Sequence, residues 1–155
     1  MMNSIALEVE KGLPDFWDID TKVLSTDNSA FMVKAAVEAS ASLPVKGIIA
    51  DTYSGNTVRG LAAYRGKALI YAHCYSLETM RALALSYGVY ARFVYDEENH
   101  DAFLEHALDY LLRKREYSID DTFVAVAGSF GKGAGTSLLE IGSIGQLKEF
   151  IKKGK

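Results

Sequence analysis

The chain has 155 residues, of which 49% are hydrophobic, and a formal net charge of −3 at pH 7. This length suits one domain with one sizeable core, and the weak negative charge gives no general field for attracting nucleic-acid phosphates. No apolar run approaches the roughly 18 residues of a membrane span. The single cysteine, Cys74, cannot form an internal disulfide. We therefore expect a cytoplasmic protein that binds neither nucleic acid nor membrane.

The first 24 residues are expected to stand apart from the domain that follows. "MMNSIALEVEKG" has apolar residues at helical spacing, and Gly12 is placed to end that helix. This helix begins without a Ser, Asp or Pro as a helix-start signal, which indicates a segment cut from a larger protein. The apolar residues between this helix and residue 24 follow neither helical nor strand spacing, so we interpret this stretch as a connector. We assign 1–24 to this helix and connector, and 25–155 to an α/β domain.

Strand and helix patterns alternate from Ser25 onward. "STDNS" offers N-cap candidates for a helix that Pro44 ends, and its predicted apolar stripe is Phe31, Met32, Ala35, Ala36 and Ala39. Three short apolar runs then predict strands, and a helical pattern follows each of them. The strand patterns are "KGIIAD", "ALIYAH" and "VYARFV", and the helical ones are "NTVRGLAAYR", "SLETMRALALSYG" and "EENHDAFLEHALDYLLRKREY".

The last two strand patterns are "TFVAVAGSF" and "TSLLEI". The glycine-rich stretch between them is too short for a crossover helix, so this pair is predicted to be antiparallel. Alternating strands and helices favour a mostly parallel sheet covered on both faces. The sequence therefore predicts an α/β fold of three layers, α/β/α, around a five-stranded mixed sheet.

Polar residues follow the first predicted strand. In an open α/β sheet, ligands bind outside the carboxyl ends of the strands, where the next helix begins. Free N–H groups at a helix start, together with hydroxyl donors, suit a phosphate group. The predicted phosphate-binding residues are Thr52, Ser54, Gly55, Asn56 and Thr57. Ordinary helix N-capping by the same hydroxyls is the alternative interpretation.

The second candidate is the glycine-rich stretch from Gly128 to Thr136. It is not a Walker loop, because Gly133 follows Lys132 where that motif requires Ser or Thr, and it does not match GxGxxG. We interpret it as a hairpin loop that is either plain or mobile and able to close over a ligand through Lys132, Gly133 and Gly135.

No catalytic constellation is recognisable in the sequence. His73 and Cys74 are neighbours on a predicted strand, so their side chains point to opposite faces, and core packing explains them. His100 and His106 lie six residues apart on one predicted helix, which is not the spacing of a zinc-binding pair. We therefore predict neither catalytic residues nor a metal site in this chain.

Read continuously, residues 46–94 resemble the C-terminal domain of pyruvate kinase. That family shows an apolar strand, the motif T-x-S-G-x-(S/T), a helix ending in "YRP", and later "GVYP". Here the motif is formed by Thr52, Ser54, Gly55 and Thr57, with "YRG" and "GVYA" in place of the other two signatures. "SAFMVKAAVEAS" resembles the helix before this strand, and "MMNSIALEVEKG" is similar to the last helix of the catalytic barrel with its linker.

This resemblance implies strand order 3-2-1-4-5 and a regulatory domain of an enzyme that converts phosphoenolpyruvate and ADP to pyruvate and ATP. Magnesium and potassium would serve the full-length enzyme, whose catalytic groups lie in other domains, so the chain alone is expected to be inactive. The resemblance also implies a sugar phosphate or AMP as effector, the catalytic barrel domain as a partner, and a homotetramer that in this chain stops at a dimer. The alternatives are a free-standing relative that binds a small phosphorylated metabolite and a purely oligomerising module.

Overall fold

A computed structural model describes residues 2–12, 28–95, 100–114, 116–128 and 135–153. Within these ranges the helices are α1 (Met2–Glu10), α2 (Asn28–Ser42), α3 (Asn56–Ala63), α4 (Leu77–Leu83), α5 (His100–Arg113) and α6 (Ile144–Lys153). The strands are β1 (Val45–Thr52), β2 (Leu69–Cys74), β3 (Val89–Phe93), β4 (Thr122–Ala127) and β5 (Leu138–Ser143). The predicted alternation of strands and helices is confirmed.

The five strands form one mixed sheet in the order β3-β2-β1-β4-β5. β1 pairs in parallel with both β2 and β4, and β2 pairs in parallel with β3. β4 and β5 are antiparallel, with Thr122 opposite Ser143 and Ala127 opposite Leu138. The predicted sheet is therefore confirmed, including its strand order and its antiparallel last strand.

Alternating side chains of the strands build a separate core on each face of the sheet. On one face, Ile48 and Ala50 of β1 pack with α2, α3 and α4. On the other face, Ile49 packs with α5 and α6. Because β1 is apolar on both faces, it lies in the middle of three layers, as its unbroken run of apolar residues indicates.

Two predicted helices differ in detail from the observed ones. The buried residues of α2 are Ala30, Val33, Ala36 and Val37, and Ala39 packs partly buried against the same core. The predicted stripe is therefore correct at Ala36 and Ala39 and wrong at Phe31, which is 72% exposed. Small side chains face inward because α2 lies close to α3, where a Cβ at Gly60 would be 3.4 Å from Val33.

The second difference is the length of α4. It ends at Leu83, although the apolar pattern predicted helix as far as Gly88. Leu85, which the pattern placed in the helix, is 95% exposed in the turns before β3.

Helix α6 is missing from the sequence-based prediction. Its buried residues are Ile144, Leu147 and Ile151, which recur at helical spacing and pack against the same face of the sheet as α5. The hydroxyl of Ser143 accepts a hydrogen bond from the Gln146 N–H at 3.2 Å, which caps the start of the helix. The helical spacing of these apolar residues and a serine at the N-cap position are both visible in the sequence, and together they could have predicted this helix.

Packing of α5 against the sheet gives a direct test of the fold. Leu108 is fully buried in that core, whereas Leu85 is 95% exposed. We expect Leu108→Ala to lower the free energy of unfolding by about 2 to 5 kcal/mol, because it removes apolar contacts and leaves a cavity. Leu85→Ala is the matched control, and its effect should stay within about 0.5 kcal/mol. Urea unfolding followed by circular dichroism measures both, and equal effects would contradict the described packing.

Candidate functional site

The candidate site lies where β1 leaves the sheet. β1 ends at Thr52 and α3 begins at Asn56, so residues 52–57, here called the first loop, cross the carboxyl-end edge of the sheet. β1 is paired with β2 on one side and with β4 on the other, so the chain order reverses at this strand. Crevices at such reversal points are the usual ligand sites of open α/β sheets.

Hydrogen bonds within the first loop hold it in a tight turn. Thr52 is 5% exposed, and its hydroxyl accepts the Gly55 N–H at 2.8 Å. Gly55 has φ 85°, a left-handed conformation that favours glycine. The Ser54 hydroxyl accepts the Asn56 N–H at 3.4 Å. Thr52 thus supports the loop from the buried side, and the exposed Ser54 and Asn56 stand on its outer side.

N-capping accounts for only some of the hydroxyl residues of this loop: the Thr52 and Ser54 hydroxyls accept N–H groups at the start of α3, but the N-cap residue and Thr57 do not act as caps. The N-cap of α3 is Gly55, which has no side chain to accept a hydrogen bond from the helix. Thr57 lies inside the first turn of α3, and its hydroxyl is bonded across the fold rather than to its own helix. The capping interpretation is therefore wrong for Thr57 and for the N-cap position itself.

The end of the glycine-rich stretch from Gly128 to Thr136, here called the second loop, contacts the first loop. The hydroxyls of Thr57 and Thr136 share a hydrogen bond at 2.7 Å, and the Thr136 N–H donates to the Ser29 hydroxyl at 2.9 Å. Gly135, with φ 76°, directly precedes this contact. Lys132 and Gly133 lie outside the described residues. The structure thus brings Thr52, Ser54, Gly55, Asn56, Thr57 and Gly135 into one region of the molecule.

Arg59 is a cation at the first loop that the sequence-based analysis overlooked. Its Nη2 donates to the Ser54 carbonyl oxygen at 2.7 Å and to Asn56 Oδ1 at 3.3 Å. A Cβ placed on Gly55 would be 2.8 Å from Arg59 Nη1, so the guanidinium packs directly against this glycine. Helical side chains lean toward the N-terminus, so an Arg in the first turns of α3 was a usable signal.

Asp51 directly precedes Thr52 on β1, so its side chain lies on the opposite face of this strand from that of Thr52. The Tyr75 hydroxyl donates to Asp51 Oδ2 at 3.4 Å, and the Gly128 N–H also donates to this carboxyl group. Burial raises the pKa of Asp51 to about 6, although nearby His100 and these hydrogen bonds act to lower it. The sequence-based analysis did not single out Asp51.

The neighbours His73 and Cys74 are core residues, as predicted. His73 is 2% exposed and packs edge-on against Phe103 of α5. Burial lowers the pKa of His73 to about 3 and raises the pKa of Cys74 to about 11. Both groups are therefore neutral at physiological pH, and a neutral thiol is a poor nucleophile.

The two histidines of α5 do not face a common site. His100 Nε2 lies 3.2 Å from Glu140 Oε2, whereas His106 is exposed. Within the described ranges, no three or more His, Cys, Asp or Glu side chains are grouped so as to hold a metal ion. No helix in the described part of the chain is long and apolar enough to span a membrane.

Residues 31–141 match the family model described as "Pyruvate kinase, alpha/beta domain". The chain belongs to this family. It is 30% identical over 152 residues to the pyruvate kinase of Borreliella burgdorferi, which covers 93% of this chain and 31% of that protein. It is also 30% identical over 149 residues to the pyruvate kinase of Geobacillus stearothermophilus, covering 94% of this chain and 25% of that protein. The chain thus spans a third or less of the length of these relatives.

The structure resembles a solved pyruvate kinase as well. A Cryptosporidium parvum pyruvate kinase in complex with ADP superposes with a TM-score of 0.66 at 24% identity, over 81% of this chain and 27% of that one. This similarity shows a common fold. The pyruvate kinase alpha/beta domain therefore accounts for the sheet order and for the position of the first loop at its edge.

The burial of Asp51 predicts a pH-dependent stability. Its folded pKa of about 6 exceeds the usual 3.8, so ionisation costs the folded state more than the unfolded state. The stabilising contribution is therefore complete below about pH 4 and is lost as the pH rises through 6. We expect Asp51→Asn to raise the free energy of unfolding at pH 7.5 by about 1 to 3 kcal/mol, with no gain at pH 4.

Urea unfolding at both pH values measures this difference. Asp120→Asn, at an exposed carboxyl group, is the control and should show no such gain. A loss of stability in Asp51→Asn that is equal at pH 4 and pH 7.5 would contradict the burial cost and assign Asp51 a purely hydrogen-bonding role.

Proposed function

We propose that the chain is the C-terminal regulatory and oligomerisation domain of a pyruvate kinase and that its first loop binds the phosphate group of an effector. In this proposal the whole enzyme transfers the phosphoryl group of phosphoenolpyruvate to ADP with magnesium and potassium in other domains. Residues 1–24 then supply the barrel helix and connector, and residues 25–155 the regulatory domain. The partner within the enzyme is the catalytic barrel domain, and the enzyme is cytoplasmic.

The contact between Thr57 and Thr136 carries the proposal. It joins the first loop to the end of the second loop at 2.7 Å, so a group bound at the first loop meets residues from both. The chain from β4 to β5 thus returns to the start of α3, as a loop that closes over a ligand requires.

The chemistry of the first loop supports an anionic ligand. Ser54 and Asn56 present polar groups at the surface, and the first turn of α3 has N–H groups without helical partners. The Arg59 guanidinium adds a positive charge beside Gly55. Hydroxyl and amide donors, a helix dipole and one guanidinium together suit a single phosphate group of a sugar phosphate or AMP. Lys132 and Gly133 of the second loop would complete the site.

A double variant tests phosphate binding. We expect Ser54→Ala with Thr57→Ala to weaken the binding of a sugar monophosphate or AMP by about 2 to 4 kcal/mol, because two hydroxyl donors to a charged acceptor are lost. The parent affinity should fall between about micromolar and millimolar. Titration calorimetry measures both. Ser42→Ala, which removes an exposed hydroxyl at the far end of α2, is the matched control.

The outcome distinguishes ligand binding from a structural role. If the double variant loses stability while no phosphorylated metabolite produces heat with the parent chain, the first loop has a structural role only. If the parent binds and the double variant binds equally well, the phosphate lies elsewhere.

Self-association is proposed through β5, which is the last strand of the sheet. Its outer edge is unpaired within the described sheet, and Ile141 on this strand is 42% exposed. Unpaired apolar edges pair readily with another strand, so a twofold-related copy is the expected partner. The full enzyme would be a homotetramer and this chain a dimer.

Light scattering after size exclusion tests the association. We expect a dimer mass for the parent chain and a monomer mass for Ile141→Lys, because a lysine on an edge strand disfavours pairing. Leu85→Lys, at an exposed leucine in the turns before β3 rather than on β5, should leave the dimer intact. A concentration-independent monomer mass for the parent chain would contradict the proposal.

A further inference from the structure

Asp51 occupies a position that reaches both loops of the candidate site. The Gly128 N–H, where the second loop begins, donates to its carboxyl group. A Cβ on Gly128 would be 2.6 Å from the Gly135 carbonyl oxygen, so the two ends of the second loop lie side by side here. Asp51 therefore holds the base of the second loop while its own chain continues into the first loop.

Tyr75 provides the connection to the first loop. Its hydroxyl donates to Asp51 Oδ2 at 3.4 Å, and its ring lies 4.5 Å from the ring of Tyr53, measured between centroids. Its backbone N–H donates to the Thr52 carbonyl oxygen at 3.3 Å. The Thr79 hydroxyl holds the Tyr53 carbonyl oxygen at 2.8 Å. One carboxyl group thus contacts the base of one loop directly and the other through a tyrosine.

The charged and titratable groups around Asp51 come from several elements. α5 contributes His100, whose Nε2 lies 3.2 Å from Glu140 Oε2 of β5. His100 also acts on Asp51 through its charge. The chain after β2 contributes the Tyr75 hydroxyl, and β4 ends at the Gly128 N–H. Among the described residues, His100 is the group that can add positive charge beside Asp51.

We propose that the protonation of Asp51 regulates anion binding at the first loop: the ionised carboxylate opposes the anion, and the neutral carboxyl group permits it. This inference rests on the function proposed above, because it requires an anion at the first loop. Burial raises the pKa of Asp51 to about 6, which places the change of charge just below neutral pH. Asp51 directly precedes Thr52 of the first loop, and its carboxyl group is bonded to the Gly128 N–H and to the Tyr75 hydroxyl, which connect it to both loops.

Thermodynamic linkage fixes the direction of the effect. If ionised Asp51 weakens anion binding, then a bound anion favours proton uptake by Asp51 to the same extent. Like charges near a protein surface repel each other, and we expect this repulsion to change the affinity for an anion by roughly three- to tenfold. Binding should therefore strengthen on going from pH 7.5 to pH 5.5.

Inorganic sulfate is the appropriate probe, because it does not titrate between these pH values. We expect the 155-residue chain to bind sulfate about three- to tenfold more tightly at pH 5.5 than at pH 7.5. Asp51→Asn should bind at the tighter level at both pH values. Asp120→Asn, which removes an exposed carboxylate in the turn before β4, should retain the full pH dependence.

The variant His100→Gln distinguishes the contribution of Asp51 to the pH dependence from that of the neighbouring His100. Protonation of His100 would also strengthen anion binding at low pH, so this variant must keep most of the pH dependence if Asp51 is responsible. A pH dependence that persists in Asp51→Asn and disappears in His100→Gln would overturn the inference and leave the proposed function intact. If sulfate and inorganic phosphate bind at neither pH, both the inference and the proposed function fail.

A measurement on the unmodified chain keeps the test independent of variant folding. Calorimetric titration with sulfate at pH 6.5, in two buffers of different ionisation enthalpy, reports the protons taken up on binding. We expect uptake of a fraction of one proton, and the same uptake in Asp120→Asn. Binding without proton uptake would overturn the inference.

Discussion

The central constraint of this structure is that β1 is hydrogen-bonded on both edges and packed on both faces. Ile48 and Ala50 enter one core while Ile49 enters the other, so the strand has no solvent-facing side along its middle. The chain can become polar only where the strand ends, at Asp51 and Thr52. The groups of the candidate site lie around the end of β1, because β2 and β4 run parallel to β1 and their carboxyl ends meet at the same edge of the sheet.

The exit itself is shaped by a few polar contacts rather than by apolar packing. The Thr52 hydroxyl holds the Gly55 N–H, and the left-handed Gly55 leaves space for the Arg59 guanidinium. The bond between Thr57 and Thr136 then ties this turn to the chain that returns from β4. The result is a polar surface with its positive charge on the outer side and the Asp51 carboxyl group on the buried side. The anion binding proposed above would depend on the balance of these two charges.

The chemistry of the described residues differs between the two cores and the edge of the sheet. His73 and Cys74 are neutral and buried, and their side chains point to different cores. The polar chemistry of the described residues is concentrated at the edge of the sheet, in hydroxyls, backbone N–H groups and a guanidinium. These groups are the basis of the anion binding and regulation proposed above.

The sequence by itself determined the fold class, the strand order through family resemblance, and the first loop, because apolar periodicity and the T-x-S-G-x-T motif are local signals. It did not reveal α6, although Ile144, Leu147 and Ile151 carry the helical spacing. It also placed Phe31 rather than Val33 on the buried face of α2, because the close approach of α3 at Gly60 decides which side chains face inward. Only the tertiary structure brought Thr136 and Ser29 to Thr57 and placed Gly128 and Tyr75 on Asp51. These contacts join residues distant in sequence, so the folding of the whole sheet, and no local pattern, places them together.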